Sequence, residues 1–453
     1  MPMSTQLRTL HARTVFDTGR TRPAEWRIEQ LRAIERMCDE QEQAIAAALL
    51  SDLGRPAMEA WMGDVQPTKA EAAFARKRIR RWMRRRRVSV PISQQPARAW
   101  VQYDPKGAVL VIGPWNYPFY LAMAPVVSAV AAGNTVVIKP SELAPATSAL
   151  IARLVPRYLD TEAITVVEGD AQVTQDLLAQ GFDHVLFTGG TEVGRKIMAG
   201  AAPTLTPVTL ELGGKSPAIV AADADIAVTA RRLAHTKLVN SGQTCIAPDY
   251  ILVERSVAAE LVTALCATIA EFSSTPDLPI VNRRQFDRLT ALIADTSGQV
   301  VTGGGSDEVS LRIEPTVILD PGPSDAVMSD EIFGPILPII TVDSVSEAVD
   351  FVRHRPRPLA LYVFTETPEL AEDVIDRTES GGAVVNHAIM HCLVPQLPFG
   401  GIGPSGMGAY HGWWGFEALS HRRAVLAKST RPDPRLVYPP YTALSRKIIR
   451  LLQ

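Results

Sequence analysis

Cysteine is scarce in this chain, with four among 453 residues, at positions 38, 245, 266 and 392. None stands in a CxxC pair or at a Cys/His spacing typical of zinc sites, which argues against a disulfide framework and a bound metal. Long apolar runs are also missing, since none reaches the roughly 20 residues of a membrane span. The polar N-terminus lacks the apolar core of a signal peptide. A formal net charge of -2 gives no overall attraction to nucleic acid. We therefore expect a cytoplasmic protein without a transmembrane anchor or a nucleic-acid partner.

What the chain does have is an alternation of short β-branched runs with helical segments. Strands are predicted at 109–112, 135–138, 164–167 and 184–187, and after Glu211 at 217–220, 250–253, 338–341, 361–364 and 383–386. Such alternation is typical of parallel sheets with right-handed crossovers. The predicted fold class is α/β, with a doubly wound, Rossmann-like domain followed by a second α/β domain.

Two helical segments precede the first predicted strand. Residues 24–53 read as one long amphipathic helix that ends near Gly54. Residues 76–87 are rich in arginine, and we interpret them as a solvated helix face with Ile79, Trp82 and Met83 packed inward. An anion, nucleic-acid or membrane-surface patch is the alternative interpretation.

Two motifs supply a candidate nucleophile and a candidate base. Cys245 ends Asn240-Ser-Gly-Gln-Thr-Cys245, a turn-like setting in which a thiolate would be an effective nucleophile. Upstream, Glu211 opens Glu211-Leu-Gly-Gly-Lys-Ser-Pro217, where paired glycines allow a turn toward the thiol. A carboxylate beside a nucleophile predicts acid–base chemistry.

Three further motifs follow predicted strands, at the sheet edge where ligands bind in α/β folds. Asn116 in Pro114-Trp-Asn-Tyr-Pro118 carries an amide suited to stabilise an oxyanion. Lys139-Pro-Ser-Glu142 is placed to contact an adenosine ribose. Because it carries both an acid and a cation, the choice between NAD and NADP as cofactor stays open. The loop Phe187-Thr-Gly-Gly-Thr-Glu-Val-Gly194 lets backbone approach a cofactor at a helix N-terminus, although it does not fit GxGxxG.

These motifs, together with Glu331-Ile-Phe-Gly-Pro335 and Leu397-Pro-Phe-Gly-Gly401, stand in an order and spacing that resemble the aldehyde dehydrogenase superfamily over nearly the whole chain. The segments 243–250 and 403–411 resemble its class-three branch. The resemblance implies oxidation of apolar aliphatic or aromatic aldehydes to carboxylates with NAD or NADP.

The resemblance also implies residue roles. Cys245 would form a thiohemiacetal and then a thioester, Asn116 and the Cys245 backbone N–H would hold the oxyanion, and Glu211 would activate the hydrolytic water. The implied cofactor contacts are Trp115, Lys139, Glu142, Thr188, Gly189, Gly190, Thr191, Glu192, Val193, Gly194, Glu331 and Phe333. No metal ligand is implied.

The same resemblance implies a division of the chain. Residues 1–87 and 104–210 would bind NAD(P), 211–423 would form the catalytic domain, and 88–103 with 424–453 would form an oligomerisation arm and a tail. Within the arm, residues near 88–103 should pair with a strand near 424–428. The exposed edges of such an arm favour a homodimer.

Two other functions stay open. One is a CoA-acylating semialdehyde or acyl reductase on the same fold, against which a water-activating Glu211 argues. The other is a catalytically inactive structural or binding relative, against which the intact Cys245, Glu211 and Asn116 argue.

Several segments have no assigned chemistry. His391 and Cys392 are interpreted as structural or pocket-lining, because neighbours in extended chain point to opposite faces. Trp413 and Trp414 are candidates for the substrate entrance or a subunit contact. The amphipathic tail 438–453 is too short to span a membrane, and a weak contact with a membrane surface is the less favoured expectation.

Overall fold

The computed structural model describes residues 5–272 and 278–452. The α-helices in this part of the chain are α1 Thr5–Asp17, α2 Ala24–Glu40, α3 Glu42–Leu53, α4 Ala57–Ala60, α5 Gln66–Trp82, α6 Tyr120–Ala132, α7 Pro145–Tyr158, α8 Ala171–Ala179, α9 Thr191–Ala201, α10 Ile226–Leu238, α11 Arg255–Phe272, α12 Arg283–Ala294, α13 Ala326–Ser329, α14 Val345–Arg353, α15 Pro368–Arg377, α16 Gly412–Ala418 and α17 Ala443–Leu452. Short 3-10 turns and one π-helical turn, Trp61–Val65, supplement them.

The strands form the larger sheets that the sequence predicts. They are β1 Arg86–Val88, β2 Ala97–Pro105, β3 Ala108–Ile112, β4 Thr135–Lys139, β5 Ile164–Val166, β6 His184–Thr188, β7 Val208–Glu211, β8 Pro217–Val220, β9 Tyr250–Glu254, β10 Gln299–Thr302, β11 Ser306–Asp307, β12 Arg312–Ile313, β13 Thr316–Leu319, β14 Ile336–Val342, β15 Ala360–Phe364, β16 Gly382–Val385, β17 Gly406–Met407 and β18 Ser420–Lys428.

The first sheet has the order β17-β7-β6-β3-β4-β5, and all its neighbours run parallel except β17. Strands β3, β4 and β6 are buried along their whole length, as expected for β-branched runs covered by helices on both faces. The loops that leave β3, β4, β6 and β7 therefore emerge at one edge of this sheet. That edge carries Asn116, Lys139, Thr188 and Glu211.

The second sheet has the order β10-β13-β14-β9-β8-β15-β16 and is parallel apart from β10. The predicted strands of the second block are all present, whereas β10 and β13 lie in a stretch where the sequence reading placed no strand. The predicted α/β class with parallel sheets is therefore confirmed.

The predicted arm pairing is confirmed as well. Strands β1, β2 and β18 form a three-stranded antiparallel sheet, in which β18 pairs with β2 from Ser420 opposite Pro105 to Lys428 opposite Ala97. β1 is exposed along its length, and most of β18 is exposed too. These exposed strands are the edges that the sequence analysis expects a second subunit to cover.

The domain ranges stay a prediction. β17 and α16 fall in the predicted catalytic range, yet β17 extends the first sheet and α16 packs on α5 and α6. Residues 1–4, 273–277 and 453 of the predicted ranges lie outside the described part of the chain.

The prediction of one long helix over 24–53 is wrong. The chain breaks at Gln41 between α2 and α3, where neither glycine nor proline signals an end. The arginine-rich run is divided between the end of α5 and strand β1, and Ile79 and Trp82 are buried while Met83 is half-buried, as the solvated-face interpretation expects.

Trp413 is half-buried and packs against the first apolar core. Its ring lies 6.2 Å from Trp82, 5.2 Å from Tyr103 and 5.3 Å from Phe416, centroid to centroid. It therefore packs α16 against helix α5 and the arm strand β2. Trp414 is partly exposed, and its indole N–H donates to the carbonyl of Gln396 at 3.0 Å.

In the described part of the chain, no helix is long and apolar enough to cross a membrane.

A buried arginine closes helix α6, which follows the Asn116 loop. Arg27 donates to the carbonyls of Ala131 at 3.0 Å, Arg22 at 2.9 Å and Thr21 at 3.3 Å. Its guanidinium fills the space beside Gly133, which ends the helix with a φ of +89°. Arg27 thus satisfies the Ala131 carbonyl, which the end of the helix leaves without a partner, and ties it to the loop before α2.

We predict that Arg27→Met lowers the free energy of unfolding by about 3 kcal/mol, because buried carbonyls lose their charged donor. Urea denaturation measures the change. The control Arg32→Met removes an exposed arginine from α2, the helix that also carries Arg27. It should leave the urea midpoint unchanged. An unchanged midpoint for Arg27→Met would contradict the capping role.

Candidate active site

Asn116 lies in the loop between β3 and α6 and is almost fully buried. Its side-chain N–H donates to the carbonyl of Gln243 at 3.0 Å, and its own carbonyl accepts from the Asn240 amide at 3.1 Å. Two motifs that are far apart in sequence are thereby held together. The structure brings Asn116 against the turn that carries Cys245, as the sequence analysis expects.

The Cys245 turn depends on three residues in left-handed conformation. Asn240, Ser241 and Gly242 have φ values of 53°, 50° and 72°. At Gly242 an added Cβ would lie 2.2 Å from the carbonyl oxygen of Gly334, so only glycine fits there. The turn and the Glu331 loop are consequently in direct backbone contact.

The thiol of Cys245 is half-buried against the apolar core between the two sheets. Burial raises the pKa of this thiol above its usual range, and the Glu331 carboxylate adds to the rise. Removing a buried thiol proton leaves a desolvated negative charge, which costs free energy. The resting group is therefore a neutral thiol that must lose its proton as it attacks.

Glu211 is the last residue of β7, at the carboxyl edge of the first sheet. It is 2% exposed, and neither of its side-chain oxygens has a hydrogen-bond partner in the structure. Burial raises the pKa of this carboxyl well above its usual value. A carboxylate whose pKa is raised binds a proton more strongly once it is ionised, so it is suited to take one from water.

Glu331 lies in the loop before β14, where its carboxylate abuts Gly213. A Cβ at Gly213 would fall within 1.9 Å of a Glu331 oxygen, so this glycine leaves the carboxylate its place. Burial, followed by the charge of Asp249, raises the pKa of Glu331 to about 8.

Charged side chains hold the Glu331 loop by its backbone. Lys215 donates to the carbonyl of Asp330 at 3.0 Å and binds the Asp249 carboxylate at 2.6 Å. Arg288 donates to the carbonyl of Ile332 at 2.5 Å. Sequence analysis missed this support, although Lys215 and Asp249 stand inside the motifs quoted there.

Trp115 and Phe333 meet edge to face, with ring centroids 5.5 Å apart and planes at 78°. Phe333 has a φ of 51°, in the left-handed region that residues other than glycine rarely adopt. The two predicted cofactor contacts therefore form one aromatic wall beside the Cys245 turn.

The predicted adenosine-side pair is formed. The buried ammonium of Lys139 lies 2.5 Å from the Glu142 carboxylate, which is partly exposed. An acid that faces solvent beside a buried cation can accept from ribose hydroxyls. The same cation can offset a ribose phosphate, so the pair fits both NAD and NADP.

The glycine loop connects β6 to α9. Gly190 caps the helix, and an added Cβ there would meet nothing within 4 Å. Thr188 is buried and its hydroxyl has no hydrogen-bond partner in the structure. Open space at a helix N-terminus beside an unsatisfied hydroxyl fits a dinucleotide, because the free amides there attract phosphate.

The remaining loop residues divide by exposure. Glu192 is exposed and pairs with Arg195, and Val193 presents an exposed apolar side chain. Thr191 donates to the carbonyl of Pro404 at 3.3 Å. An added Cβ would overlap Phe187 at Gly189 and Leu212 at Gly194, so both positions require glycine, and their contact with a cofactor stays a prediction.

The expectation that His391 and Cys392 lie in extended chain is wrong. These residues lie in a 3-10 turn, Met390–Leu393, and not in extended chain. Burial lowers the pKa of His391 to about 4, so the imidazole is neutral at physiological pH. Cys392 packs against the same apolar cluster as Cys245, in keeping with a pocket-lining role.

Among the described residues, no group of histidine, cysteine or acidic side chains could hold a metal ion.

Comparison with known proteins identifies the family. The sequence profile described as "Aldehyde dehydrogenase family" matches residues 8–425. Aldehyde dehydrogenase family 3 member H1 from Arabidopsis thaliana is 44% identical over 450 residues, covering 97% of this chain and 92% of that protein. The family 3 relationship agrees with the class-three resemblance.

Solved structures agree. The substrate-bound state of AldH from Staphylococcus aureus superposes with a TM-score of 0.95 at 40% identity, covering all of both chains. Betaine aldehyde dehydrogenase from the same organism, in complex with NAD+, gives 0.87 at 25% identity over 96% of this chain and 91% of that one. This chain belongs to the aldehyde dehydrogenase family.

Proposed function

We propose that Cys245, Asn116 and Glu211 carry the aldehyde oxidation of this enzyme. The overall reaction converts an aldehyde to a carboxylate with reduction of NAD+ or NADP+. The observation that supports the assignment is the Cys245 turn, which Asn116 binds from the first sheet and which contacts the Glu331 loop of the second.

In the first step the Cys245 thiol gives up its proton to solvent, and its sulfur attacks the aldehyde carbonyl and forms a thiohemiacetal. One N–H of the Asn116 amide donates to Gln243, and the amide has a second N–H for the new oxyanion. The backbone N–H of Cys245 is the second donor. These donors stabilise charge where it develops.

The residues around the site fit a bound dinucleotide. Trp115 and Phe333 would flank the nicotinamide, Glu331 would bind its ribose, and Lys139 and Glu142 would hold the adenosine side. When bound, NAD(P)+ supplies a hydride acceptor.

Loss of the hydride from the thiohemiacetal carbon to the bound cofactor would leave a thioester on Cys245, which is then hydrolysed. Glu211 removes a proton from water as the water attacks the thioester carbonyl, and the carbon–sulfur bond breaks. The acid that forms passes its proton to the departing Cys245 sulfur and leaves as a carboxylate, and Glu211 returns its own proton to solvent. Because burial raises the pKa of Glu211 and no partner competes for its oxygens, the ionised carboxylate is an effective base.

We also propose an apolar aldehyde as substrate, since Cys245 packs against the apolar cluster together with Tyr117, Ile389 and Cys392. A panel of aliphatic and aromatic aldehydes tested with both cofactors measures this preference. The CoA-acylating alternative is judged by the product, because acyl-CoA formed in preference to free acid would overturn hydrolysis.

The cellular location and the assembly of the protein are proposed from its exposed surfaces. A cytoplasmic location stays a prediction. A surface contact of the tail with a membrane stays a less favoured one, although helix α17 carries exposed Leu444 and Leu451. A homodimer is proposed because β1 and β18 leave strand edges exposed.

For assembly, we predict that light scattering during size-exclusion chromatography gives twice the mass of one chain. A mass equal to one chain at micromolar concentration would contradict the arm's role in dimer formation.

For the nucleophile, we predict that Cys245→Ala abolishes turnover while cofactor affinity stays nearly unchanged.

In the wild type, the rate of Cys245 alkylation by iodoacetamide should still increase as pH rises above about 9, because a raised pKa keeps the thiol protonated there. Peptide mass spectrometry follows the modification. Glu331→Gln should shift the alkylation profile to lower pH, and a plateau at neutral pH in the wild type would refute a neutral resting thiol.

For the base, we predict that Glu211→Gln gives a burst of reduced cofactor followed by turnover slowed roughly 10²- to 10⁴-fold. The burst survives because hydride transfer precedes hydrolysis. Stopped-flow absorbance resolves the two phases. An unchanged steady state would move the base to another residue.

The same variant tests the burial of Glu211. Folding raises the pKa of this carboxyl. The free energy of unfolding of the protein therefore falls as pH rises from the unfolded pKa of Glu211 toward its folded pKa. Glu211→Gln should therefore melt at a higher temperature than the wild type at pH 8. The difference in melting temperature should vanish below about pH 4.5, where the carboxyl binds its proton in the unfolded chain as well. Equal melting temperatures at pH 8 would contradict a pKa that folding raises.

A further inference from the structure

A buried ion pair lies behind Asn116. Arg55 and Asp64 are 1% and 0% exposed, and their nearest side-chain nitrogen and oxygen are 2.5 Å apart. Arg55 follows Gly54, whose left-handed conformation ends helix α3. Asp64 lies in the π-helical turn Trp61–Val65, an irregularity that is frequent at functional sites.

Arg55 uses its second nitrogen on the Asn116 loop. This nitrogen donates to the carbonyl of Asn116 at 2.6 Å, and the guanidinium lies 4.4 Å from the ring centroid of Tyr117. One planar group therefore contacts two successive residues of the loop.

Asp64 holds the other end of the same loop. Its second carboxylate oxygen accepts from the backbone N–H of Phe119 at 3.1 Å and of Tyr120 at 2.9 Å, where helix α6 begins. Gly63 permits the approach, since an added Cβ would lie 2.9 Å from the Tyr117 ring. The pair thus fixes the loop from residue 116 to residue 120.

A buried ion pair is weak evidence for stability, because desolvation offsets most of the attraction. Its geometry here is specific, since all the contacts named above outside the pair go to one loop. We propose that Arg55 and Asp64 are positioning residues that set the Asn116 amide for the oxyanion. This inference rests on the proposed oxyanion role of Asn116.

The physical reason is the precision that an oxyanion donor needs. One N–H of the Asn116 amide is fixed on Gln243, so the direction of the other depends on where the backbone of residue 116 lies. A displacement of about 0.5 Å is enough to weaken a hydrogen bond to a transition state. Arg55 binds the carbonyl of residue 116 directly, and Asp64 fixes the backbone N–H groups of residues 119 and 120 at the other end of the loop.

The test measures the single-turnover rate of hydride transfer by stopped flow. We expect Arg55→Met to slow it about 10- to 100-fold, and Arg55→Lys to recover much of the loss, because an ammonium still donates to Asp64 and to the Asn116 carbonyl. Arg76→Met is the matched control. It removes the Arg76–Glu35 pair between α5 and α2 and should leave the rate unchanged.

A double-mutant cycle separates positioning from general damage. In an Asn116→Ala background, Arg55→Met should cost no further rate, since no side-chain amide remains to be positioned. Alkylation of Cys245 by iodoacetamide forms no oxyanion and should keep its wild-type rate in Arg55→Met. A fully additive cycle, or alkylation slowed as much as hydride transfer, would overturn the proposal.

Arg55→Met leaves Asp64 without its cation, so the variant Arg55→Met/Asp64→Asn supplies a second measurement if the single one fails to fold. An asparagine at that position keeps an oxygen for the Phe119 and Tyr120 amides. The same loss of rate is expected. Failure of the proposed oxyanion role gives a different result, because Asn116→Ala alone would then transfer hydride at the wild-type rate. If Asn116→Ala is slow but the Arg55 variants transfer hydride at the wild-type rate, only the positioning role is refuted.

Discussion

The contact between Gly242 and Gly334 is the constraint on which the site depends. Two backbones approach so closely that a single methyl group at Gly242 would overlap the Gly334 carbonyl. This contact sets the Cys245 turn against the Glu331 loop, and Asn116 binds the same turn from the first sheet. The thiol consequently lies where the two sheets meet, and the aromatic wall of Trp115 and Phe333 lies beside it.

The second determinant is the exclusion of water. Burial is the largest cause of the raised pKa of Cys245, of Glu211 and of Glu331. Charge at this site is therefore costly before substrate arrives, and every step that creates charge needs a donor or an acceptor already in place. This explains why hydrogen-bond donors at Asn116 matter more here than they would in water.

Sequence patterns predicted the strands around the site because buried parallel strands are short β-branched runs, as in β3 and β4. They also predicted the pairing of β2 with β18, and they located Cys245, Glu211 and Asn116. They did not predict the contact of Arg55 with Asn116, which joins residues 61 apart in the chain through a carbonyl that any residue possesses. The break at Gln41 was missed for a related reason, since no residue type there marks the end of a helix.

The distribution of buried charge separates two kinds of group. The groups that must stay in place are held by charged side chains: Asn116 by Arg55 with Asp64, and the Glu331 loop by Lys215 with Arg288. Glu211, which must gain and lose a proton, has no such partner. A cation beside it would lower its pKa and weaken it as a base. Rigid support around Glu211 therefore has to come from apolar packing, whereas the donors and loops around it tolerate ion pairs.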